Sequence, residues 1–170
     1  VPWDVVPELQ SVIRYAKTRW EQISVRAISI GAWFSLLAFA GEGIGQCLLS
    51  SPLTDMEGFI RRMMATAHVT EEQLRESGVI STPAGQVLSY AYLTYAAEHP
   101  VHIIAPRTAV LYATGDTMIP RSSIDRFVAQ PGCTLTLIEG GEHWTHTPED
   151  VEQMCLWEAG EIGGIGGSPA

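Results

Sequence analysis

Ile23-Ser24-Val25-Arg26-Ala27-Ile28-Ser29-Ile30-Gly31-Ala32-Trp33-Phe34-Ser35-Leu36-Leu37-Ala38 decides how the rest of the chain is read. Its first half, Ile23 to Ile28, is rich in apolar and β-branched residues, as a buried strand is. Its second half, Ala32 to Phe39, is rich in Ala and Leu and predicts a buried helix. Only Ser29-Ile30-Gly31 separates them, so the chain must bend sharply. The residues two before and two after the apex, Ala27 and Gly31, come close together and are expected to be small for that reason. The bend pushes Ser29 out at the C-terminal edge of the strand. It also sets Ser29 at the N-terminus of the next helix, where backbone N–H groups and the helix dipole favour negative charge. The pattern is a nucleophile elbow, G-x-S-x-G, with Ala27 in place of the first Gly. The plain alternative is a buried strand followed by a helix that Ser29 merely caps.

Composition bounds the rest. The chain has 170 residues, 46 % of them hydrophobic, enough for one domain with a core. A formal net charge of −9 disfavours nucleic acid or an anionic membrane surface as the main partner. The three cysteines, Cys47, Cys133 and Cys155, are odd in number and share no CxxC spacing. That argues against a disulfide scaffold or a zinc knuckle, and fits a reducing, cytoplasmic compartment. No uninterrupted apolar run reaches membrane-spanning length, and the start Val-Pro-Trp-Asp has no signal-peptide pattern.

In chain order, residues 4–20 predict a helix with Asp4 as N-cap, followed by the elbow strand and helix and a stop at Gly41-Glu42-Gly43. Ile44 to Leu49 is a second apolar strand. This alternation implies a parallel sheet. Residues 53–100 show no strand pattern. They predict three helices: 53–67, one capped by Thr70, and one from Thr82 or Pro83 to Glu98. Inserted between two strands, they form a lid over the strands' C-terminal ends, or else a packing layer in which Met and Tyr are core. Thr108 to Thr114 and Cys133 to Ile138 are further strands, with a helix capped by Ser122 or Ser123 between them. Thr147 caps a last helix from Pro148 to about Trp157. The domain organisation is thus a core of 1–52 and 101–158, a helical cap of 53–100, and a flexible Gly-rich tail of 159–170.

Three strand ends carry Ser29, Asp116 and His143. In a parallel sheet those ends share one edge. A serine hydroxyl needs a base within hydrogen-bond reach, and imidazole suits neutral pH. The imidazole needs a carboxylate to fix its tautomer. His146 is a rival for the base and Asp125 for the acid. His143 follows Gly140-Gly141 directly at the strand end, whereas Asp125 falls within a helix. A metal reading of Glu142, His143 and His146 is weaker, because no third ligand is evident elsewhere. No cofactor is implied.

The chain resembles the α/β-hydrolases, and within them the small bacterial serine aminopeptidase and esterase-like enzymes. Ala27-Ile28-Ser29-Ile30-Gly31, Leu111 to Pro120 (LYATGDTMIP) and Gly140-Gly141-Glu142-His143-Trp144 carry the likeness, which extends from about Trp3 to Trp157. It implies a nucleophile Ser29, an acid Asp116, a base His143 and an oxyanion donor in the Ile30 N–H. The substrate would be an ester or amide of a small apolar molecule, with Trp33 and Trp144 as apolar contacts.

The family sheet has about eight strands and draws a second oxyanion donor from a loop after an early strand. Only four strands are found here. The chain therefore reads as a partial α/β-hydrolase fold, the C-terminal portion of a hydrolase, with its elbow strand, apolar on both faces, at an open edge. The alternative to an active enzyme is a non-catalytic half-fold whose edge pairs with itself or with a missing N-terminal half.

Overall fold

The computed structural model describes residues 1–163. Its elements run α1 (Pro2–Lys17), β1 (Ser24–Ile28), α2 (Ile30–Ala38), β2 (Gln46–Ser50), α3 (Met56–Thr66), α4 (Glu71–Ser77), β3 (Val79–Ser81), β4 (Val87–Ser89), α5 (Tyr90–Glu98), β5 (Arg107–Ala113), α6 (Arg121–Val128), β6 (Cys133–Ile138) and α7 (Pro148–Gly163). β1, β2, β5 and β6 make one parallel sheet in that order. Parallel neighbours need crossover connections, and helices supply all three. All four strands therefore end on the same edge, the edge that receives Ser29, Asp116 and His143.

Alternation along the strands builds two buried faces. Val25, Ala27, Cys47, Leu49, Val110 and Tyr112 join Ile13 of α1 and Ala32, Trp33 and Leu36 of α2 in the main core. Leu48, Ala109 and Leu111 point the other way and are also buried, on a sheet where α7 packs against β5. The central strands β2 and β5 are buried along nearly their whole length, as expected of strands covered on both faces.

β1 lies at the edge of the sheet, as expected, but it is not apolar on both faces. Val25 and Ala27 are buried, while Ser24, Arg26 and Ile28 are exposed. Arg26 instead forms an ion pair with Glu158 of α7, a polar clasp over an incompletely covered face.

Other expectations change as well, among them the start of α6, which follows Pro120 rather than being capped by Ser122 or Ser123. Residues 79–89 form a short antiparallel hairpin, β3–β4, and the next helix starts at Tyr90 rather than at Thr82 or Pro83. Thr82 closes the turn: its N–H donates to the Gln86 carbonyl and its hydroxyl accepts the Gln86 N–H, with Gly85 at φ +81°. Pro83 is thus a turn residue. The last helix runs past Trp157, so Ala159–Gly163, expected in a flexible tail, are helical. The rest of that expected tail, 164–170, lies outside the described residues. Val1, not Asp4, precedes the first helix, with Pro2 in its first turn. The capping box of Thr70 and Gln73 and the cap by Thr147 form as expected.

Burial of Cys47 in β2 pushes its thiol from 9.0 up to about 12, and burial likewise pushes Tyr92 from 10.0 to about 12. Above about pH 9 for Cys47 and about pH 10 for Tyr92, and up to about pH 12, the unfolded chain gives up these protons while the native chain holds them. Native stability therefore falls as pH rises through that window. Urea melts at pH 7 and pH 10 are expected to show a lower midpoint at pH 10, and a smaller drop for Cys47→Ala. Equal midpoints would contradict the burial of these groups. No helix among the described residues is long and apolar enough to cross a membrane.

Candidate active site

The chain passes from β1 to α2 through a single residue, Ser29, at φ 51° and ψ −125°. A non-glycine residue in this region is strained by about 1–3 kcal/mol and persists only where its surroundings hold it. Here they do. The Ser29 N–H donates to the Ser50 carbonyl at the end of β2, and the Ser29 carbonyl accepts from the N–H groups of Ala32 and Leu53. The backbone is pinned from three sides, and the hydroxyl is held at the sheet's C-terminal edge. The Ile30 N–H next to it opens α2, where first-turn donors have no acceptor within the helix.

The elbow is looser than the sequence suggested. A methyl built on Gly31 meets nothing within 4 Å. Since Gly31 lies in α2 without a positive φ, Gly31→Ala is expected to stabilise the chain by up to about 1 kcal/mol through helix propensity. A thermal melt checks this; a lower midpoint would mean that the bend does close on this residue.

His143 reaches Ser29 from the loop after β6. Its Nε2 lies 2.9 Å from Ser29 Oγ, and its Nδ1 lies 2.8 Å from Asp116 Oδ2. The ring is 5 % exposed. A carboxylate can only accept, so Nδ1 carries the proton and Nε2 offers its lone pair to the serine hydroxyl. The other oxygen of Asp116 accepts the N–H groups of Met118 and Ile119 at 2.8 and 2.9 Å. Tyr112 steadies the same loop by donating its hydroxyl to the Ile119 carbonyl at 2.8 Å.

The loops carrying Asp116 and His143 are joined directly. The Gly115 N–H donates to the Gly141 carbonyl at 2.8 Å. A methyl on Gly115 would lie 2.7 Å from that same oxygen, so the two backbones touch where a side chain cannot fit. Thr114 adds a second tie: its hydroxyl donates to Glu139 and accepts the Gly140 N–H. Sequence reasoning placed Asp116 and His143 on this edge but gave no separate role to Tyr112, Thr114, Gly115 or Gly141. The adjacency of Gly115 to Asp116, and of Gly141 to the loop of His143, was the available signal.

The remaining candidates lie as follows. His146 binds the Trp144 carbonyl through Nδ1 and is exposed, and Asp125 is exposed and paired with Arg121. Both nitrogens of His143 are engaged by Ser29 and Asp116, and no group of three or more metal-ligating side chains gathers among the described residues. Trp144 is 63 % exposed, its ring edge-on to His143. Trp33, expected as a substrate contact, is instead a core residue at 1 % exposure, stacked on Tyr92 with ring centroids 5.8 Å apart. The helix turns Trp33 inward, onto Tyr92 and Tyr95 of α5.

Among the cavities bordering residues 53–100, two differ in their relation to the site. The larger, about 420 Å³, lies among Asp55, Glu57, His99, Arg126 and neighbouring residues and is lined by none of Ser29, Asp116 and His143. A smaller one, about 180 Å³, is lined by Ile30, next to the elbow serine.

No protein-family model matches the chain, and no curated protein sequence matches it. Solved structures do. Est1E from Butyrivibrio proteoclasticus matches with a TM-score of 0.67 at 19 % identity, over 93 % of this chain and 69 % of that one. Alpha/beta hydrolase domain-containing protein 10 from mouse gives 0.70 at 17 % identity, over 94 % and 70 %. The esterase domain of a Rhodothermus marinus protein gives 0.63 at 10 % identity, over 94 % and 67 %. The chain has a partial α/β-hydrolase fold, with four parallel strands among the described residues.

Proposed function

We propose that this chain is a serine hydrolase that cleaves an ester or amide of a small apolar substrate through an acyl-enzyme. The reading rests on one observation: the unbroken relay from Ser29 Oγ through His143 to Asp116, at 2.9 and 2.8 Å, on a strained elbow. The hydrolase names of the fold neighbours support it.

Ser29 Oγ attacks the carbonyl carbon as His143 Nε2 takes its proton. The imidazolium that forms is stabilised by Asp116, and the developing oxyanion meets the Ile30 N–H. Collapse breaks the bond to the leaving oxygen or nitrogen, which takes the proton from His143. Water then attacks the Ser29 ester with His143 again as base, releasing the acid and restoring the serine. We assign one oxyanion donor. A site lacking a second turns over on the order of 10²–10³ more slowly, so modest rates are expected. Residues 53–100 act as a cap in this reading. Arg62 of α3 donates to the Met118 carbonyl beside Asp116, Asp55 pairs with Arg126 of α6, and Thr54 donates to the Ser123 carbonyl.

Rapid mixing with p-nitrophenyl hexanoate tests the mechanism. A burst of about one nitrophenolate per chain, absent from Ser29→Ala, is the expected result. Turnover that is retained in Ser29→Ala would overturn it.

A second reading is favoured by the edge position of β1, whose outer row of backbone N–H and C=O groups has no strand beside it among the described residues. Such an edge can pair with a second copy or a further segment, with the serine site silent. Light scattering after size exclusion separates the two: a catalytically silent dimer favours this reading, and an active monomer removes it.

A further inference from the structure

We propose that the 180 Å³ cavity beside the elbow is an acyl pocket that selects a neutral hydrocarbon acyl group of about six to eight carbons. The size follows from comparison with an apolar cavity of about 150 Å³, which holds one benzene ring. This inference rests on the reading of Ser29 as nucleophile.

The pocket lies between Ile30 of α2, Phe59, Ile60 and Met63 of α3, Leu88 of β4 and Tyr92 of α5. No charged side chain lines it. Its hydroxyls are Ser89, which caps α5, and Tyr92, held neutral because burial pushes its phenol up to about 12. A carboxylate or ammonium entering it would lose its hydration without gaining a partner, so charged chains are excluded. Apolar chains gain affinity with each methylene buried. The larger cavity, with Asp55, Glu57, His99 and Arg126 on its walls, offers no such environment and does not border the elbow.

Geometry assigns the acyl side. The leaving group must stay within reach of His143 Nε2, which returns its proton, so it lies toward Trp144 and Met118. None of the pocket's lining residues comes from the loops of Asp116 or His143, whereas Ile30 is the residue bonded to Ser29. The acyl chain therefore extends past Ile30 into the pocket. The leaving group meets the exposed Trp144 and Met118 and is weakly discriminated.

Two arms test this with the full chain. In turnover, kcat/KM for p-nitrophenyl esters is expected to rise by about fourfold per methylene from acetate to hexanoate and to level off or fall beyond octanoate. Met63→Trp, which fills the pocket, moves the optimum to shorter chains, and Phe59→Ala moves it to longer ones. In binding, calorimetry on Ser29→Ala compares methyl octanoate with methyl acetate. Octanoate is expected to bind at least about tenfold tighter, and Met63→Trp in the same background removes that preference. A flat turnover profile, or one that both pocket variants leave unchanged, overturns the pocket while the hydrolase reading stands. Absence of turnover together with octanoate binding that depends on Met63 keeps a hydrocarbon pocket but sinks the hydrolase reading, and with it the assignment of the pocket to an acyl group. No preference for octanoate in Ser29→Ala overturns the pocket.

Discussion

His143→Ala is expected to lower kcat for ester hydrolysis on the order of 10⁴- to 10⁶-fold, with little change in the unfolding midpoint. In the proposed mechanism the imidazole takes the proton from Ser29 and returns it to the leaving group, so both halves of the reaction lose their proton carrier at once. Asp116→Asn probes the same relay differently. A side-chain amide turned to donate at Nδ1 forces the imidazole proton onto Nε2, and the Ser29 hydroxyl then faces an N–H instead of a lone pair. A loss on the order of 10⁴ follows from the wrong tautomer alone. The two losses should not add, because both variants disable one unit. Steady-state kinetics of each single variant and of the double variant would show this. A double variant much worse than His143→Ala would mean that Asp116 acts independently of the imidazole.

Gly115→Ala is expected to destabilise the chain by about 1–3 kcal/mol and to lower turnover on the order of 10²-fold. The added methyl would lie 2.7 Å from the Gly141 carbonyl oxygen and 3.1 Å from that of Gly140. Both are backbone atoms, so neither can swing aside as a flexible side chain would. The Gly115 N–H bond to the Gly141 carbonyl must lengthen, and the loops holding Asp116 and His143 must part. Catalysis suffers more than stability because an ångström of misplacement weakens both the Asp116–His143 and His143–Ser29 contacts. Gly31→Ala serves as the control, since its methyl meets nothing. Urea melts and kcat measured on the two variants separate a steric clash from the general cost of a methyl group.

Local chemistry made much of this architecture readable from the chain. The run from Ile23 to Ala38 switches from strand to helix with three residues between, which requires a sharp bend at Ser29. Ser29, Asp116 and His143 could be placed on one edge because parallel strands share their C-terminal ends. Thr70 and Gln73 announced a helix start by their spacing alone. The features that escaped depend on tertiary surroundings. The strands Val79–Ser81 and Val87–Ser89 are three residues each, too short to show alternation, and Pro83 fits a helix start as well as a turn. Trp33 and Tyr92 both recur at core spacing, yet only Tyr92 borders the pocket beside the elbow. The exposed, polar side of β1 went unread, because the partner of Arg26, Glu158, lies 132 residues away, beyond any local pattern. The contact between Gly115 and Gly141 is likewise invisible until β5 and β6 are paired.

Reaction of the full chain with an alkyl fluorophosphonate, followed by intact mass and peptide mapping, tests the central claim most directly. The account predicts a single adduct on Ser29, lost in Ser29→Ala and strongly slowed in His143→Ala. A folded chain that takes up no label, or labels equally well in Ser29→Ala, would contradict it.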